Sequence, residues 1–243
     1  MGPFLTVFVP AYNEQHNLAH CVEVVIAKFG ALHVSVEVLI VDDHSSDDTG
    51  AVADQIAVER EQVRVIHHEQ NGGIGAAFHT AIQHATGEWL ILIPADLALE
   101  PSDLRRYIEA APQADVVVGL RSDLSDYNLA RKLVHETNIF LVRRLFGTPL
   151  RQFQYISMYR MQVLRSLEVE YWRSAFFLAE ILIKAQALGF RLVEVEVLYA
   201  PRLAGRATGA KLRLVFLTLW DLFRFWLRWV RLGPEKASKR FRP

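Results

Sequence analysis

Short, almost continuously apolar runs alternate with helix-spaced segments through the first half of the chain. Five of these runs are predicted strands, in the order LTVFVP, VEVLIVDD, VRVIHH, EWLILIP and ADVVVGL. Between them, apolar residues recur at the spacing of one helix face. Apolar strands joined by helices form a parallel sheet that is covered on both faces. The alternation therefore predicts an α/β fold with a mostly parallel sheet flanked by helices.

Polar motifs stand where the predicted strands end. They are PAYNE, VDDHSSDDT, NGGIGAA, PADLALEP and GLRSD. Ligands of such sheets bind beyond the carboxyl ends of the strands. Asp47 or Asp48 fits a helix cap, whereas Asp42 and Asp43 lie at a strand terminus, where hydrogen bonds to a ribose or base are favoured over capping. This edge of the sheet is therefore the predicted nucleotide site.

Glycines, arginines and one acid near these ends add candidate contacts to phosphate and metal. The glycines of NGGIGAA precede a predicted helix, whose start attracts phosphate, but a plain turn explains them equally well. Arg121, Arg131 and Arg202 follow strands or lie in glycine-containing loops, a placement that favours a phosphate clamp over ordinary solvated side chains. Asp96 follows Pro94 by two residues and is either half of a metal site or an ordinary turn residue.

The pattern changes in the second half of the chain. Residues 128–146 form a predicted amphipathic helix, and QYISMYRMQVL indicates a strand and a turn. FFLAEILIKAQALGF indicates a helix with Gly189 just past its end, and RLVEVEVLY alternates as a half-exposed strand does. The sequence shows no repeat and no low-complexity linker, so we predict one catalytic domain, residues 1–211, followed by a C-terminal appendage, residues 212–243.

That appendage begins with a predicted amphipathic helix over residues 212–232. Its arginines fall within an arc of about 60°, and with Asp221 and Thr218 the polar face spans about 140°; they are Arg213, Arg224, Arg228 and Arg231. The rest of the helix is Leu, Phe, Trp and Val, which favours a helix in a membrane interface over a core helix packed on the sheet. The helix is too apolar for a nucleic-acid surface.

Charge and cysteine content agree with a protein at the inner surface of a membrane. The net charge is zero, but residues 203–243 hold 10 Lys and Arg against 2 Asp and Glu. The basic end EKASKRFR suits anionic lipid. Cys21, the only cysteine, excludes an internal disulfide and is expected to be buried. No run of 18 uncharged apolar residues is present and FLTVFVP indicates a strand, so we expect peripheral attachment on the cytoplasmic side without a spanning helix.

Taken together, these motifs resemble those of the family 2 glycosyltransferases of the GT-A type. Within that family they are most similar to the polyprenyl-phosphate sugar synthases, such as the dolichol-phosphate mannose synthases. The resemblance covers about residues 5–220 and depends on the order and spacing of VPAYNE, VDDHSSDDT, NGGIGAA, GLRSD, AEILIKAQALGFRLVEVEV and PRLAGRATG. It implies a GT-A sheet with a Rossmann-like nucleotide-binding half.

The resemblance also implies roles for individual residues. Asp96 matches the second acid of the family's D-x-D metal motif, Asp42 would hold the base or ribose, and Glu180 matches an acid near the sugar and acceptor. The three arginines named above match positions that hold donor diphosphate or acceptor phosphate. The other residues expected to bind the nucleotide sugar are Pro10, Ala11, Tyr12, Glu14, Asp43, Asn71, Gly75 and Ala95.

Two departures from the family pattern bear on the chemistry. Where the family usually has D-A-D-L-Q, this chain has Pro94 and Ala98 in place of the first acid and the glutamine. Mg²⁺ or Mn²⁺ is therefore expected to take most of its oxygen ligands from donor phosphates and water. The segment RQFQYISMYR lacks the acid that the family often has near Arg151, and it lacks the Gly-Phe near Tyr155 and Ile156.

The function expected is transfer of a sugar from a nucleotide-sugar donor to a membrane polyprenyl phosphate, with inversion. The expected partners are donor, acceptor lipid and an anionic membrane surface, with a membrane protein as a further candidate. Two alternatives stay open: a family 2 enzyme with a hydroxyl acceptor, which needs a carboxylate base, and a catalytically impaired nucleotide-sugar-binding paralogue, which Pro94 and Ala98 favour. A nucleotidyltransferase is disfavoured because PAYNE is not a glycine-rich loop.

Overall fold

A computed structural model describes residues 2–123, 129–153, 155–200 and 212–238. Within these ranges, the side chains of Ala130, Arg131 and residues 212–215 are outside the description. Residues 201–211, directly before the predicted boundary between residues 211 and 212, lie outside the description, so the division into 1–211 and 212–243 stays a prediction.

Seven strands form one mixed sheet in the order β3-β2-β1-β4-β6-β5-β7. All neighbours pair in parallel except β6, which is antiparallel to both β4 and β5. The α/β fold with a mostly parallel sheet is therefore confirmed, with one antiparallel strand inserted. The strands are β1 Leu5–Ala11, β2 Val36–Asp42, β3 Val63–His67, β4 Trp89–Leu92, β5 Val116–Arg121, β6 Ser157–Arg160 and β7 Leu192–Val197.

Helices cover both faces of the sheet. They are α1 Leu18–Ala31, α2 Thr49–Glu59, α3 Gly73–His84, α4 Leu104–Ala110, α5 Leu129–Phe146, α6 Met161–Ser166, α7 Phe176–Ala187, α8 Leu212–Leu232 and α9 Pro234–Ser238. Two short 3₁₀ turns, Pro101–Asp103 and Ala111–Gln113, flank α4. The turn expected after β6 is instead the helix α6, because its apolar residues Met161, Val163 and Leu164 join the core.

The core has two layers because successive residues of a strand point to opposite faces of the sheet. In β1, Val7 and Val9 pack with α1, α2 and α4, whereas Phe8 packs with α3, α6, α7 and α8. The second layer contains an aromatic cluster around Phe78 of α3, whose ring meets those of Phe8 and Tyr159 edge to face. Burial on both faces explains why the strands are nearly continuous apolar runs.

The predicted helix 212–232 coincides with α8, and its apolar residues divide between two surfaces. Leu222, Phe225 and Trp229 face the protein and complete the second core layer. Thr218 and Asp221, from the predicted polar face, are buried on the same side. This arrangement arises because α8 is apolar around most of its circumference, so one stripe packs inward while another stays exposed. Among the described helices, none is both long and apolar enough to cross a membrane.

Candidate functional site

The carboxyl ends of six parallel strands meet at one edge of the sheet, and the polar motifs follow them there. Ala11 pairs with Asp42, and Asp42 pairs with His67, so the ends of β1, β2 and β3 are in register. β4 leads into Pro94-Ala95-Asp96 at the same edge, and β5 ends there at Arg121. The fold thus gathers the predicted site motifs from distant parts of the sequence.

Hydrogen bonds join the loop after β1 to the loop after β2. The Asn13 side chain accepts the Ser46 amide at 2.9 Å, and the Asn13 amide donates to Ser45 Oγ at 3.0 Å. The Glu14 amide donates to Thr49 Oγ1 at 2.8 Å, where α2 begins. Asn13 has a φ of 57°, a left-handed conformation that asparagine tolerates better than most residues. The two loops therefore form one braced unit.

Four residues at the end of β1 and in the loop after it, called the first loop from here on, were predicted to line the nucleotide pocket. Tyr12 is 50% exposed, and Pro10 and Glu14 are half-buried. Ala11 is buried in the core, so any contact it makes with a ligand involves its backbone. Tyr12 therefore offers the largest free surface of the four.

Asp42, at the end of β2, is buried and held on both carboxylate oxygens. Oδ1 accepts the Ser45 amide at 3.1 Å, and Oδ2 lies 2.9 Å from His67 Nδ1. Burial would raise the pKa of Asp42, but the hydrogen bonds from Ser45 and His67 outweigh it and hold the pKa below its ordinary value. Because a carboxylate has about four acceptor positions, the predicted contact with base or ribose remains compatible with these bonds.

Asp43 organises the glycine loop from within. Its carboxylate accepts the amides of Gly72 at 2.9 Å and Gly73 at 2.7 Å, and it pairs with His68 Nδ1 at 2.7 Å. Asn71 donates to the Asp43 carbonyl at 3.1 Å. An internal carboxylate thus occupies the start of α3, for which phosphate binding and a plain turn were equally good explanations. For these two amides, the plain-turn interpretation fits the structure.

Gly75 is required by packing. A Cβ on this residue would lie 1.8 Å from the carbonyl oxygen of Trp172, a distance that no side chain can occupy. Trp172 itself packs its ring against Phe78 and His79 of α3. The segment before α7 therefore rests directly on α3 next to the glycine loop.

Asp96 lies just beyond the tip of β4, largely buried at 6% exposure. Its Oδ1 accepts the Ala98 amide at 3.2 Å across Leu97, whose φ is 47°. The hydroxyl of Tyr155 donates to the Ala98 carbonyl at 3.0 Å and ties this turn to the segment before β6. Ala95 is buried in the core, so its side chain is not available to a ligand.

The neighbourhood of Asp96 is acidic on the α1 side. Burial raises the pKa of the Cys21 thiol, and the charges of Asp96 and Glu14 raise it further. Cys21 is buried, as predicted, and its thiol points to the Pro94 carbonyl at 3.7 Å. Glu14 and Asp96 are therefore close enough for both charges to act on one side chain.

A divalent ion at this point would have a single protein carboxylate. Within the described ranges, no group of three or more His, Cys, Asp and Glu side chains is arranged to hold a metal ion. The hydrogen bond from the Ala98 amide uses one of the roughly four acceptor positions of the Asp96 carboxylate. The residues fit Mg²⁺ or Mn²⁺ only if a donor diphosphate and water complete its oxygen ligands.

Arg121 ends β5 and is held by Gln152, a residue that the sequence interpretation missed. The Gln152 side chain accepts the Arg121 amide at 2.8 Å and donates to the Arg121 carbonyl at 2.9 Å. The guanidinium group stacks 3.6 Å from the centre of the Tyr199 ring, and Nε donates to the Asp123 carbonyl at 2.7 Å. The Arg131 side chain and the whole of Arg202 lie outside the described residues, so the predicted three-arginine clamp stays a prediction.

Glu180, predicted to lie near the sugar, is fully buried in α7. Its carboxylate pairs with Lys184 Nζ at 2.7 Å and accepts the amides of Glu170 and Tyr171. Burial raises the pKa of Glu180, although Lys184 and these amides oppose the shift. Through these contacts Glu180 fixes the segment that carries Trp172 onto α3, next to the glycine loop at the carboxyl edge of the sheet.

The comparison with known protein families agrees with the fold and the site described above. The chain belongs to glycosyl transferase family 2, whose sequence profile matches residues 6–171. Among curated relatives, the undecaprenyl-phosphate 4-deoxy-4-formamido-L-arabinose transferase of Edwardsiella ictaluri is 30% identical over 90% of this chain. Its counterpart in Pectobacterium carotovorum is 28% identical over 90% of the chain. The chain spans 66% of the length of each of these two relatives.

Solved structures share the fold at low sequence identity. The mannosyltransferase PcManGT from Pyrobaculum calidifontis, in complex with GDP-Man and Mn²⁺, superposes with a TM-score of 0.65 at 17% identity, covering 98% of this chain and 72% of that one. Glucosyl-3-phosphoglycerate synthase from Mycobacterium tuberculosis, with Mn²⁺, UDP and phosphoglyceric acid, has a TM-score of 0.66 at 21% identity, covering 90% and 78%. The predicted GT-A architecture is confirmed by these likenesses.

Proposed function

We propose that this protein transfers a sugar from a nucleotide-sugar donor to a polyprenyl phosphate at a membrane surface. The observation that carries the proposal is the 30% identity, over 90% of the chain, to a transferase named for its acceptor, undecaprenyl phosphate. The described site is consistent with this function, since it combines a braced nucleotide edge, a buried acid at the tip of β4 and an arginine at the end of β5.

The donor is proposed to lie across the ends of β1, β2 and β4. Tyr12 and the backbone of the first loop would contact the base, and Asp42 would accept hydrogen bonds from base or ribose. Asp96 would face the diphosphate together with Mg²⁺ or Mn²⁺, which would neutralise negative charge there when bound. Arg121 lies at the same edge of the sheet, and its guanidinium group would stabilise the charge on the departing nucleoside diphosphate.

The acceptor phosphate needs no strong general base. Its oxygen is already ionised and can attack the anomeric carbon directly, with the nucleoside diphosphate leaving from the opposite side. Direct displacement of this kind inverts the anomeric centre. The sequence segment around Arg151 has no carboxylate, but the fold brings Glu194 of β7 to 3.0 Å from Arg151 Nε and Glu196 to 3.8 Å from its Nη1. A hydroxyl acceptor, which must lose a proton during attack, therefore stays an alternative that the assay has to test.

The exposed face of α8 supports attachment to a membrane. Six large apolar residues lie within an arc of about 100° on the helix: Phe216, Leu219, Trp220, Phe223, Leu227 and Val230. Arg224 and Arg231 are exposed at the edge of this arc, where they can reach anionic headgroups. α5 also exposes Leu133 and Phe140. We therefore propose peripheral attachment with α8 in the membrane interface, and we keep the cytoplasmic side, expected from the sequence, as part of the proposal.

A second candidate is a nucleotide-sugar-binding paralogue with impaired transfer. Pro94 stands where the family usually has an acid, so Asp96 is the only acid in the segment from Pro94 to Ala98. Such a protein would bind donors without turning them over. The transfer assay therefore has to be paired with a binding measurement.

The experiment offers the purified protein a panel of radiolabelled nucleotide sugars, vesicles that contain undecaprenyl phosphate, and Mg²⁺ or Mn²⁺. We expect label in the organic phase with the wild type and no label with Asp96→Ala. Glu61→Ala, at an exposed position before β3, is the matched control and should transfer normally. Donor binding without transfer in the wild type would favour the impaired paralogue, and label confined to water-soluble glycosides would favour a hydroxyl acceptor.

A further inference from the structure

His67 ends β3 and His68 follows it, and each contacts one of the consecutive aspartates Asp42, which ends β2, and Asp43, which follows it. His68 lies between Asp43 and Thr80, with Nε2 2.9 Å from the Thr80 hydroxyl. His67 lies between two carboxylates instead: Nδ1 is 2.9 Å from Asp42 Oδ2, and Nε2 is 3.0 Å from Asp54 Oδ1 of α2. The function derived above assigns no role to His67.

The chemistry of these contacts determines the charge of His67. Ionised carboxylates only accept hydrogen bonds, and a neutral imidazole carries a single N–H. Both contacts of His67 can therefore be hydrogen bonds only when the ring is an imidazolium ion. The bonds to Asp42 and Asp54 raise the pKa of His67, in agreement with the geometry. The charged groups that face the ring come from the two elements packed against β3, namely Asp42 from β2 and Asp54 from α2.

The contacts of His67 with Asp42 and Asp54, called the clamp from here on, lead to the loop after β1, which would hold the donor in the proposed function. Asp42 Oδ1 accepts the Ser45 amide, and Ser45 Oγ in turn accepts the Asn13 amide at 3.0 Å, next to Tyr12. The space around the clamp is tight, since a Cβ on Gly50 would lie 3.1 Å from Asp42 Oδ2. A chain of hydrogen bonds thus runs from α2 across the strand ends to the first loop.

We propose that His67, as a cation held by Asp54, is a positioning residue of the donor site that orients Asp42 and the loop around Asn13. The inference rests on the proposed function, in which Asp42 contacts base or ribose. When His67 loses its proton, one of its two carboxylate contacts must break, and repulsion between the carboxylates is no longer screened. Donor affinity is therefore expected to fall as the pH rises through the pKa of His67.

The test measures binding of UDP and of GDP by calorimetry between about pH 6 and 9, because an ordinary histidine titrates between about pH 5 and 8 and the pKa of His67 is raised. For the wild type we expect weaker binding as the pH rises. His67→Gln should bind about tenfold more weakly at the lower pH, the scale of one hydrogen bond to a charged group, and should show little of the pH dependence. Because the phosphate of the probe also titrates near pH 6, only the difference between the two proteins is assigned to His67.

Asp54→Asn supplies a second, independent variant. It keeps the contact between His67 and Asp42 but removes one of the two carboxylates, so the midpoint of the pH dependence should move to lower pH. The ring-nitrogen NMR shifts of His67 should follow the same midpoint. His84→Gln, exposed in the last turn of α3, is the matched control and should leave affinity and pH profile unchanged.

The outcomes separate this inference from the proposed function. If the folded wild type binds no nucleoside diphosphate, the proposed function fails and the inference fails with it. If the wild type binds but His67→Gln has the same affinity and pH profile, only the role of His67 is overturned. An Asp54→Asn profile that coincides with the wild type overturns the clamp, even if His67→Gln does not fold.

Discussion

The buried ion pair between Glu180 and Lys184 offers the most quantitative test of the structure. Both side chains are completely buried, and they lie one turn apart on α7. Lys184 Nζ also contacts Glu170 Oε1 at 3.1 Å and donates to the Glu168 carbonyl. Glu170 continues the network to Arg228 of α8. A single lysine therefore neutralises a carboxylate that has no access to water.

Lys184→Met removes the charge and keeps most of the side-chain volume. Glu180 would then be buried without a cation, a change that costs about 3–5 kcal/mol when one partner of a buried pair is removed. In a domain of this size that loss lowers Tm by roughly 10 °C. The double variant Glu180→Gln/Lys184→Met should recover most of the lost stability, because no buried charge is left alone.

The loss should depend on pH in a definite direction. Burial already raises the pKa of Glu180, and removing Lys184 raises it further. A carboxyl group with a raised pKa in the folded state does not lower the free energy of unfolding while it is protonated in both the folded and the unfolded protein. The loss grows as the pH rises above the pKa of the unfolded state and is complete once the pH has passed the pKa of the folded state. Lys184→Met should therefore be closer to the wild type at about pH 5 than at about pH 8.

Urea unfolding, monitored by circular dichroism at these two pH values, gives the free energy of unfolding of the wild type, of Lys184→Met and of the double variant. The free energy of unfolding at the higher pH is the decisive quantity. A Lys184→Met loss below about 1 kcal/mol would be too small for an isolated buried charge. An equal loss at both pH values, or a double variant no more stable than the single one, would also contradict the reasoning.

Two further changes test the packing beside the nucleotide edge and the exposed face of α8. Gly75→Ala should unfold more easily and bind UDP or GDP more weakly, because its Cβ would meet the Trp172 carbonyl at 1.8 Å. The control Gly30→Ala has open space around it in α1 and should be neutral or stabilising by about 1 kcal/mol. Thermal unfolding compares the stability of the two variants, and calorimetry compares their nucleotide binding. Trp220→Ser, at a position 57% exposed on α8, should weaken flotation with anionic vesicles by about tenfold, while Val58→Ser, 83% exposed on α2, should not. Equal flotation of both variants would argue against α8 as the membrane contact.

The strands and the principal helices could be predicted from the sequence because their signals are local. An apolar run of four to eight residues indicates a buried strand wherever it lies, and the periodicity of residues 212–232 predicted the limits of α8. The insertion of β6 between β4 and β5 could not be predicted in this way. An apolar run carries no mark of its neighbours in the sheet or of its direction among them.

For the site as well, the positions of residues could be predicted from local sequence, but their contacts with distant residues could not. Asp42, Asp43 and Asp96 could be located at the carboxyl edge from their positions after strands, since parallel strands bring these ends together. Their partners could not be deduced, although the pair of histidines at the end of the third predicted strand, VRVIHH, was visible in the sequence. Whether Asp43 faces a ligand or the amides of Gly72 and Gly73 depends on the path of a loop some thirty residues away.

The class of fold, the edge of the sheet where chemistry is expected and the amphipathic character of α8 could all be inferred from the sequence alone. The folded molecule was needed to show which carboxylates are held internally, that Glu180 is buried and paired with Lys184, and which stripe of α8 packs inward. The physical reason is that periodicity and strand-end position are properties of neighbouring residues. A hydrogen-bond partner or a buried stripe is chosen by elements that meet only after the chain has folded.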